Sequence, residues 1–231
     1  ISQAKAKIIV IESLFSMDGD FFQANELTLL CEKYNALLFV DESHSFGIYG
    51  KNGAGWVNEY PNLKKYLLAA TFGCGKAVGV SGGFFATNSL LLKERILQKS
   101  KFFIYSTGVS PFVSGAVYES LKIIFSQEGH EKRKMLFENI NYLFSNLREI
   151  HFQFPLILER KRQSQIFPFI FYSNELTMRI SNYLIENHIL AKAIRPPSVP
   201  QHTSRLRISL SASHSKNDID KFIFNLNEAL Q

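Results

Sequence analysis

The chain has 231 residues, 46% of them hydrophobic and 20% charged, with a formal net charge of +6. That length and balance suit a globular protein of one large or two smaller domains, and no apolar run reaches the roughly 18 residues of a membrane-spanning helix. Lysines and arginines are scattered among acids and no nucleic-acid motif is present, so solvated helix faces or a basic entrance for a phosphate-bearing substrate account for the charge; neither nucleic acid nor membrane is expected as a partner.

In chain order, residues 8–11 predict a short buried strand, and Asn25 a cap for a helix over 26–34 with Leu27, Leu30 and Cys31 on one face. A second strand over 37–40 runs into Asp41-Glu42-Ser43-His44 and a loop holding Gly47, Gly50, Gly53 and Gly55. Further strands are predicted over 66–70 and 84–87, with a helix over 88–100. Ser110-Pro111 opens a long helix to about residue 125, a break falls at 127–130, and a second helix continues to about 148. Beyond it come a strand over 166–171, a helix over 176–187, a short strand near Leu190, a strand over 205–210 and a last helix over 217–230, whose start Asp218 and Asp220 favour.

Alternating strands and helices argue for an α/β protein with a mainly parallel sheet covered by helices on both faces. The expected division is a first domain over 1–126 and a smaller α/β domain over 127–231. The start, Ile1-Ser2-Gln3-Ala4-Lys5, has no signal-peptide character. Cys31 and Cys74 lack metal-ligand spacing and read as reduced thiols of a cytoplasmic protein, so no metal site is expected.

Ligands of such sheets sit beyond the carboxyl ends of the strands, where Asp41 and Lys76 fall. Asp41 ends a buried strand and needs a cationic partner; a protonated ring nitrogen would serve, and so would a helix cap or a structural ion pair. Lys76 lies in a glycine-rich segment, Thr71-Phe72-Gly73-Cys74-Gly75-Lys76. Glycines there let backbone N–H groups approach a phosphate. Taken alone, Lys76 reads first as a solvated loop lysine and second as a tethering amine. An acid and a lysine so placed suit pyridoxal phosphate (PLP), which takes an anion at its ring nitrogen and a covalent tether at its aldehyde.

Around this pair, His44 could donate to a phenolic oxygen or be structural, and Tyr105-Ser106-Thr107 offers hydroxyls to a phosphate or to a helix cap. Glu12 to Asp20 carries Ser16 among acids, with Asp18-Gly19 a turn signal. Arg195, in the stiff, extended Arg195-Pro196-Pro197-Ser198-Val199-Pro200, suits a bidentate grip on a carboxylate or an ordinary surface loop. Arg205 and Arg207 alternate on one strand and read as structural.

Six ordered segments together resemble the α-oxoamine synthases, PLP enzymes of fold type I in the aminotransferase class. They are Glu12-Ser13-Leu14-Phe15-Ser16-Met17-Asp18-Gly19-Asp20, Val40-Asp41-Glu42-Ser43-His44-Ser45, the Thr71 to Gly83 segment, Tyr105-Ser106-Thr107, Arg195 to Pro200, and Arg205-Leu206-Arg207-Ile208-Ser209-Leu210. The resemblance implies PLP as cofactor, tethered to Lys76, which then acts as acid and base. It implies Asp41 at the ring nitrogen, His44 and Ser16 at the phenolic oxygen, Thr71 and Thr107 at the phosphate (Thr107 from the neighbouring subunit of a homodimer), and Arg195 on the amino-acid carboxylate. The implied reaction is decarboxylative condensation of an amino acid, alanine in the first instance, with an acyl-CoA thioester. Two departures stand out. Cys74-Gly75 is inserted, so Thr71 lies five residues before Lys76 instead of three, and the chain matches only the later part of the family's length.

Overall fold

The structure is a computed structural model that describes residues 6–147, 157, 159 and 163–231. It divides into two compact units, one of Ile1–Leu14 and Phe21–His130, the other of Phe15–Asp20 and Glu131–Gln231.

The first unit is built on a four-stranded sheet in the order β1-β2-β3-β4. β1 (Ile8–Glu12) and β2 (Leu37–Asp41) are short β-branched and aliphatic runs, paired in parallel with Glu12 beside Asp41. Between them lies α1 (Ala24–Tyr34), whose cap residue is Gln23 and not Asn25. Leu27 and Cys31, four apart, bury as expected, whereas Leu30 stays 45% exposed. A left-handed Asn35 ends the helix and returns N–H groups to its last carbonyls.

After β2 come 3₁₀ turns at Lys51–Gly53 and Trp56–Glu59, then α2 (Pro61–Lys64), with proline in its first turn. β3 (Leu67–Gly73) runs three residues past the predicted end. Thr71, Phe72 and Gly73 read as loop in sequence, yet their backbone groups find ladder partners on β2 and on the antiparallel β4 (Gly83–Ala86). α3 (Leu90–Lys99) is capped by Ser89, whose hydroxyl accepts from the Leu92 N–H at 3.2 Å, and α4 (Lys101–Ile104) follows.

α5 (Pro111–Ile124) begins at the predicted proline. The break expected over 127–130 falls instead at two residues, Phe125 and Ser126, and α6 (Gln127–Leu147) follows at once. Gly129 allows it: a Cβ there would lie 2.4 Å from the carbonyl oxygens of Ile123 and Ile124.

Sheet cover departs from expectation in one place. On the face of the sheet that carries Asp41, Ile8, Val10 and Leu37 are 52%, 73% and 42% exposed, so helices do not cover both faces along β1 and β2.

The second unit holds an antiparallel sheet, β5-β7-β6, of β5 (Ile166–Ile170), β6 (Ala193–Ile194) and β7 (Arg205–Ser209). The short strand expected near Leu190 forms at 193–194, and Leu190 is exposed. α7 (Asn174–Glu186) and α8 (Lys216–Leu230) bury Ile180, Leu184, Phe222 and Leu226, in a core with Phe167, Phe169 and Leu206 of the sheet. Pro168 is tolerated because β5 is an edge strand. At the head of α8 Ser215 and Asp218 close a capping box.

The Phe15–Asp20 segment is locked into this second unit. Arg205, 3% exposed, is ion-paired with Asp18 and donates to the Met17 carbonyl, while Ser164 Oγ donates to the Gly19 carbonyl at 2.6 Å. The structural reading of Arg205 therefore holds.

Candidate active site

Asp41 is the last residue of β2, and its register partner is Thr71 on β3; Thr71 pairs in turn with Phe85 on β4. Paired residues point to one side of a sheet, so a carboxylate, a hydroxyl and an aromatic ring lie in a row. Both carboxylate oxygens are engaged: Oδ1 accepts the Ser43 N–H at 2.8 Å and Oδ2 the Thr71 hydroxyl at 3.0 Å. Ser43 Oγ accepts the Gly73 N–H at 2.8 Å, which ties the end of β3 to the turn after β2.

This row forms one wall of an open cleft of about 620 Å³. Its lining includes Asp41, Ser43, Thr71 and Gly73 at the strand ends, Phe85 of β4, Lys93, Ile96 and Leu97 of α3, and Phe103 of α4. The volume falls within the roughly 300–1,000 Å³ of small-molecule sites. Lys93 is the lysine on this lining, and nothing in its own sequence surroundings singled it out.

Lys76 stands in the loop that joins β3 to β4. Cys74 N–H donates to the Gly82 carbonyl at 2.9 Å, Val80 N–H to Cys74 at 3.0 Å and Gly79 N–H to Lys76 at 3.0 Å, closing the loop on itself. Gly79 and Gly82 take positive φ. Cys74 is 2% exposed, packed with Phe46, Phe72, Val78 and Ile124, and burial pushes its thiol pKa up. Gly75, Lys76 and Ala77 project to solvent, so the loop anchors in the core at Cys74 and presents the lysine outward.

The remaining expected residues are distributed between the units. His44 is half-buried in the turn after Asp41, and Thr107 is exposed in the loop before α5. Ser16 and Arg195 belong to the second unit. The Ser16 carbonyl accepts from Arg207 Nε, and burial draws the Arg207 guanidinium below its ordinary pKa. Arg195 is exposed, but not in the extended segment expected. Ser198 N–H closes on its carbonyl at 3.0 Å in a turn that contains a cis Pro196–Pro197 peptide.

Sequence inspection missed Glu42. It is fully buried; Oε1 accepts the Val57 N–H at 2.9 Å, Oε2 the Trp56 N–H at 2.8 Å, and Ser45 Oγ also donates to Oε2. A Cβ on Gly55 would lie 2.8 Å from its carboxyl carbon. Glu42 thus pins the turn carrying Asp41 and His44 to the 3₁₀ turn at Trp56. Among the described residues there is no cluster of metal-ligating side chains, and no helix is long and apolar enough to cross a membrane.

A strand-end carboxylate facing a cleft on a largely parallel sheet, with a lysine loop leaving the next strand, marks an α/β protein with a cleft of small-molecule size. Residues 1–226 match the family model for aminotransferase class I and II, and the chain belongs to that family.

It is 37% identical to the 8-amino-7-oxononanoate synthase of Polaromonas naphthalenivorans (strain CJ2), over 96% of this chain and 54% of that protein. It is 36% identical to the enzyme of the same name from Janthinobacterium sp. (strain Marseille), over 100% of this chain and 57% of the relative. The chain thus spans about half the length of the curated relatives it matches. Among solved structures, a serine palmitoyltransferase from S. paucimobilis bound to a PLP–myriocin aldimine superposes with a TM-score of 0.90 at 25% identity, over 99% of this chain and 56% of that one. The 8-amino-7-oxononanoate synthase of Francisella tularensis gives 0.78 at 25% identity, over 99% and 64%. The fold is accordingly that of the PLP-dependent fold type I enzymes, represented by part of the large domain and a smaller α/β domain.

Proposed function

We propose that this chain carries the cofactor-holding half of a PLP-dependent α-oxoamine synthase, an acyltransferase that joins an amino acid to an acyl-CoA thioester with loss of carbon dioxide. The observation that carries the reading is the Asp41 carboxylate, oriented through both oxygens on the lining of a cleft of about 620 Å³. What supports PLP is a fixed anion for the ring nitrogen and a lysine on the loop that follows β3, although Lys76 itself projects to solvent. When bound, PLP would supply an electron sink for the carbanion left at the amino acid's α-carbon.

The chain's own residues would then divide the work. Asp41 holds the proton on the ring nitrogen, His44 and Ser16 orient the phenolic oxygen, Thr107 reaches the phosphate, and Lys76 tethers the cofactor and moves the α-proton. Arg195 grips the substrate carboxylate, which a guanidinium does through two parallel hydrogen bonds. The first unit acts as part of the PLP-binding domain and the second, Phe15–Asp20 with Glu131–Gln231, as the small domain in place of the 127–231 expected from sequence, in a homodimer. Relatives named 8-amino-7-oxononanoate synthase support L-alanine and a pimeloyl-type thioester as substrates and a place in biotin biosynthesis. The serine palmitoyltransferase neighbours support a related synthase with another acyl group.

A second reading, partner binding without turnover, is favoured by the open sheet face at Ile8, Val10 and Leu37 together with the half-length match. Borohydride reduction after PLP addition, followed by peptide mass spectrometry, separates the two. Label on Lys76, abolished by Lys76→Ala, supports the enzyme reading. Label on Lys93 names a different tether, and no label favours the partner-binding reading.

A further inference from the structure

We propose that Thr71 is a positioning residue for Asp41 and not part of the phosphate grip, an assignment that rests on the PLP reading above. The Thr71 hydroxyl has one proton, and that proton is committed to Asp41 Oδ2 at 3.0 Å. A phosphate bound to the same oxygen would receive no proton from it and would bring a second anion against the carboxylate, where like charges repel. The arrangement is complete at the other oxygen, since Ser43 N–H holds Oδ1 at 2.8 Å. Between them, Ser43 and Thr71 fix the rotation of the carboxylate about its Cβ–Cγ bond.

Thr71 is also held in place by its backbone. It sits within the ladder, opposite Asp41 on one side and Phe85 on the other, and β3 continues for two residues beyond it. The next anchor is Cys74, buried with Phe46, Phe72 and Val78. Thr71 therefore cannot swing toward the Lys76 loop without breaking strand pairing or withdrawing Cys74 from the core. With Cys74 buried between them, the threonine stays beside the acid while the lysine leaves on the solvent side.

The test titrates the full chain, as wild type, Thr71→Val, Thr71→Ser, Asp41→Asn and the Thr71→Val/Asp41→Asn double variant. The ligands are PLP, pyridoxal (which lacks the phosphate) and a PLP analogue with CH in place of the ring nitrogen, each followed by visible absorbance. Thr71→Val is expected to weaken PLP and pyridoxal by the same factor, about tenfold for a hydrogen bond to a charged group. The nitrogen-free analogue should bind as it does to wild type, and Thr71→Ser should retain wild-type affinity. On the Asp41→Asn background, Thr71→Val should add no further loss, because residues acting through one contact are not additive. Weakening of PLP with pyridoxal unchanged would return Thr71 to the phosphate and overturn the proposal. Equal weakening of all three ligands, or of none, overturns it as well, the first by showing a general structural role. Failure of wild type to bind either PLP or pyridoxal overturns the underlying PLP reading, and this one with it.

Discussion

Glu42→Ala tests how the turn bearing Asp41 and His44 is held. The carboxylate has no solvent exposure and takes three protons, from the N–H groups of Trp56 and Val57 and from the Ser45 hydroxyl. Ser45 has other acceptors, the Glu42 carbonyl at 3.1 Å and Ser13 Oγ at 2.7 Å, so its loss is small. The Trp56 and Val57 N–H groups are the donors whose pairing the substitution removes. Each buried donor left unpaired costs about 1–3 kcal/mol, which sets the loss at about 2–6 kcal/mol. For a chain of this size that lowers the melting temperature by roughly 5–20 °C.

Glu42→Gln keeps one carbonyl oxygen and turns an NH₂ group toward the remaining donor, so about half the loss is expected. Urea unfolding followed by circular dichroism gives the global figure, and amide hydrogen exchange at Trp56 and Val57 gives the local one. The alanine variant should speed exchange at both amides, the glutamine variant mainly at one. If alanine does not fold, glutamine carries the test. A loss below about 1 kcal/mol in both variants, with protection at Trp56 and Val57 intact, would refute the claim that Glu42 ties the turn down.

Two more predictions concern the second unit. Gly19→Ala places a Cβ 2.4 Å from the Ile166 carbonyl oxygen at a residue with φ of +69°, so a loss of about 2–4 kcal/mol in denaturant unfolding is expected, from left-handed strain plus displaced backbone; a neutral result would refute the tight docking of Phe15–Asp20. Asp218 has its pKa held below the usual carboxylate value, first by the Ser215 hydroxyl and then by the Ser215 N–H. A lowered folded pKa contributes stability that is fully present above about pH 4 and lost as pH falls through the folded value. Ser215→Ala should flatten that acid limb in melts between about pH 2 and 6, and an unchanged limb would refute the capping role.

The strands and most helices were legible because apolar runs and turn residues signal them locally. What failed depended on neighbours remote in sequence. Thr71, Phe72 and Gly73 look like the start of a glycine loop, and only β4 on one side and Asp41 on the other make them strand. Glu42 looks like one acid in a run; its importance comes from N–H groups 14 and 15 residues on. Arg195-Pro196-Pro197 suggests an extended segment, but the Ser198 N–H is paired more cheaply by folding back on Arg195 than by staying open. The alternation of Arg205 and Arg207 was correctly structural, although their targets, Asp18 and the Ser16 carbonyl, lie 187 and 191 residues away.

The acid of the site was readable from its place at the end of an apolar run, although the face it lies on is partly open and the burial expected there is not met. Which partner takes it is a property of register, and register belongs to the sheet and not to either segment. Asp41 and Thr71 meet because β2 and β3 pair in parallel with those residues opposite each other, 30 positions apart. The same register fixes what the lysine can do. β3 ends at Gly73, Cys74 turns into the core, and Lys76 leaves from the solvent side of a closed loop. An acid held by a strand and a lysine held by a loop therefore answer to different forces, the first to backbone pairing and the second to the burial of one cysteine. Sequence spacing between them carries neither piece of information.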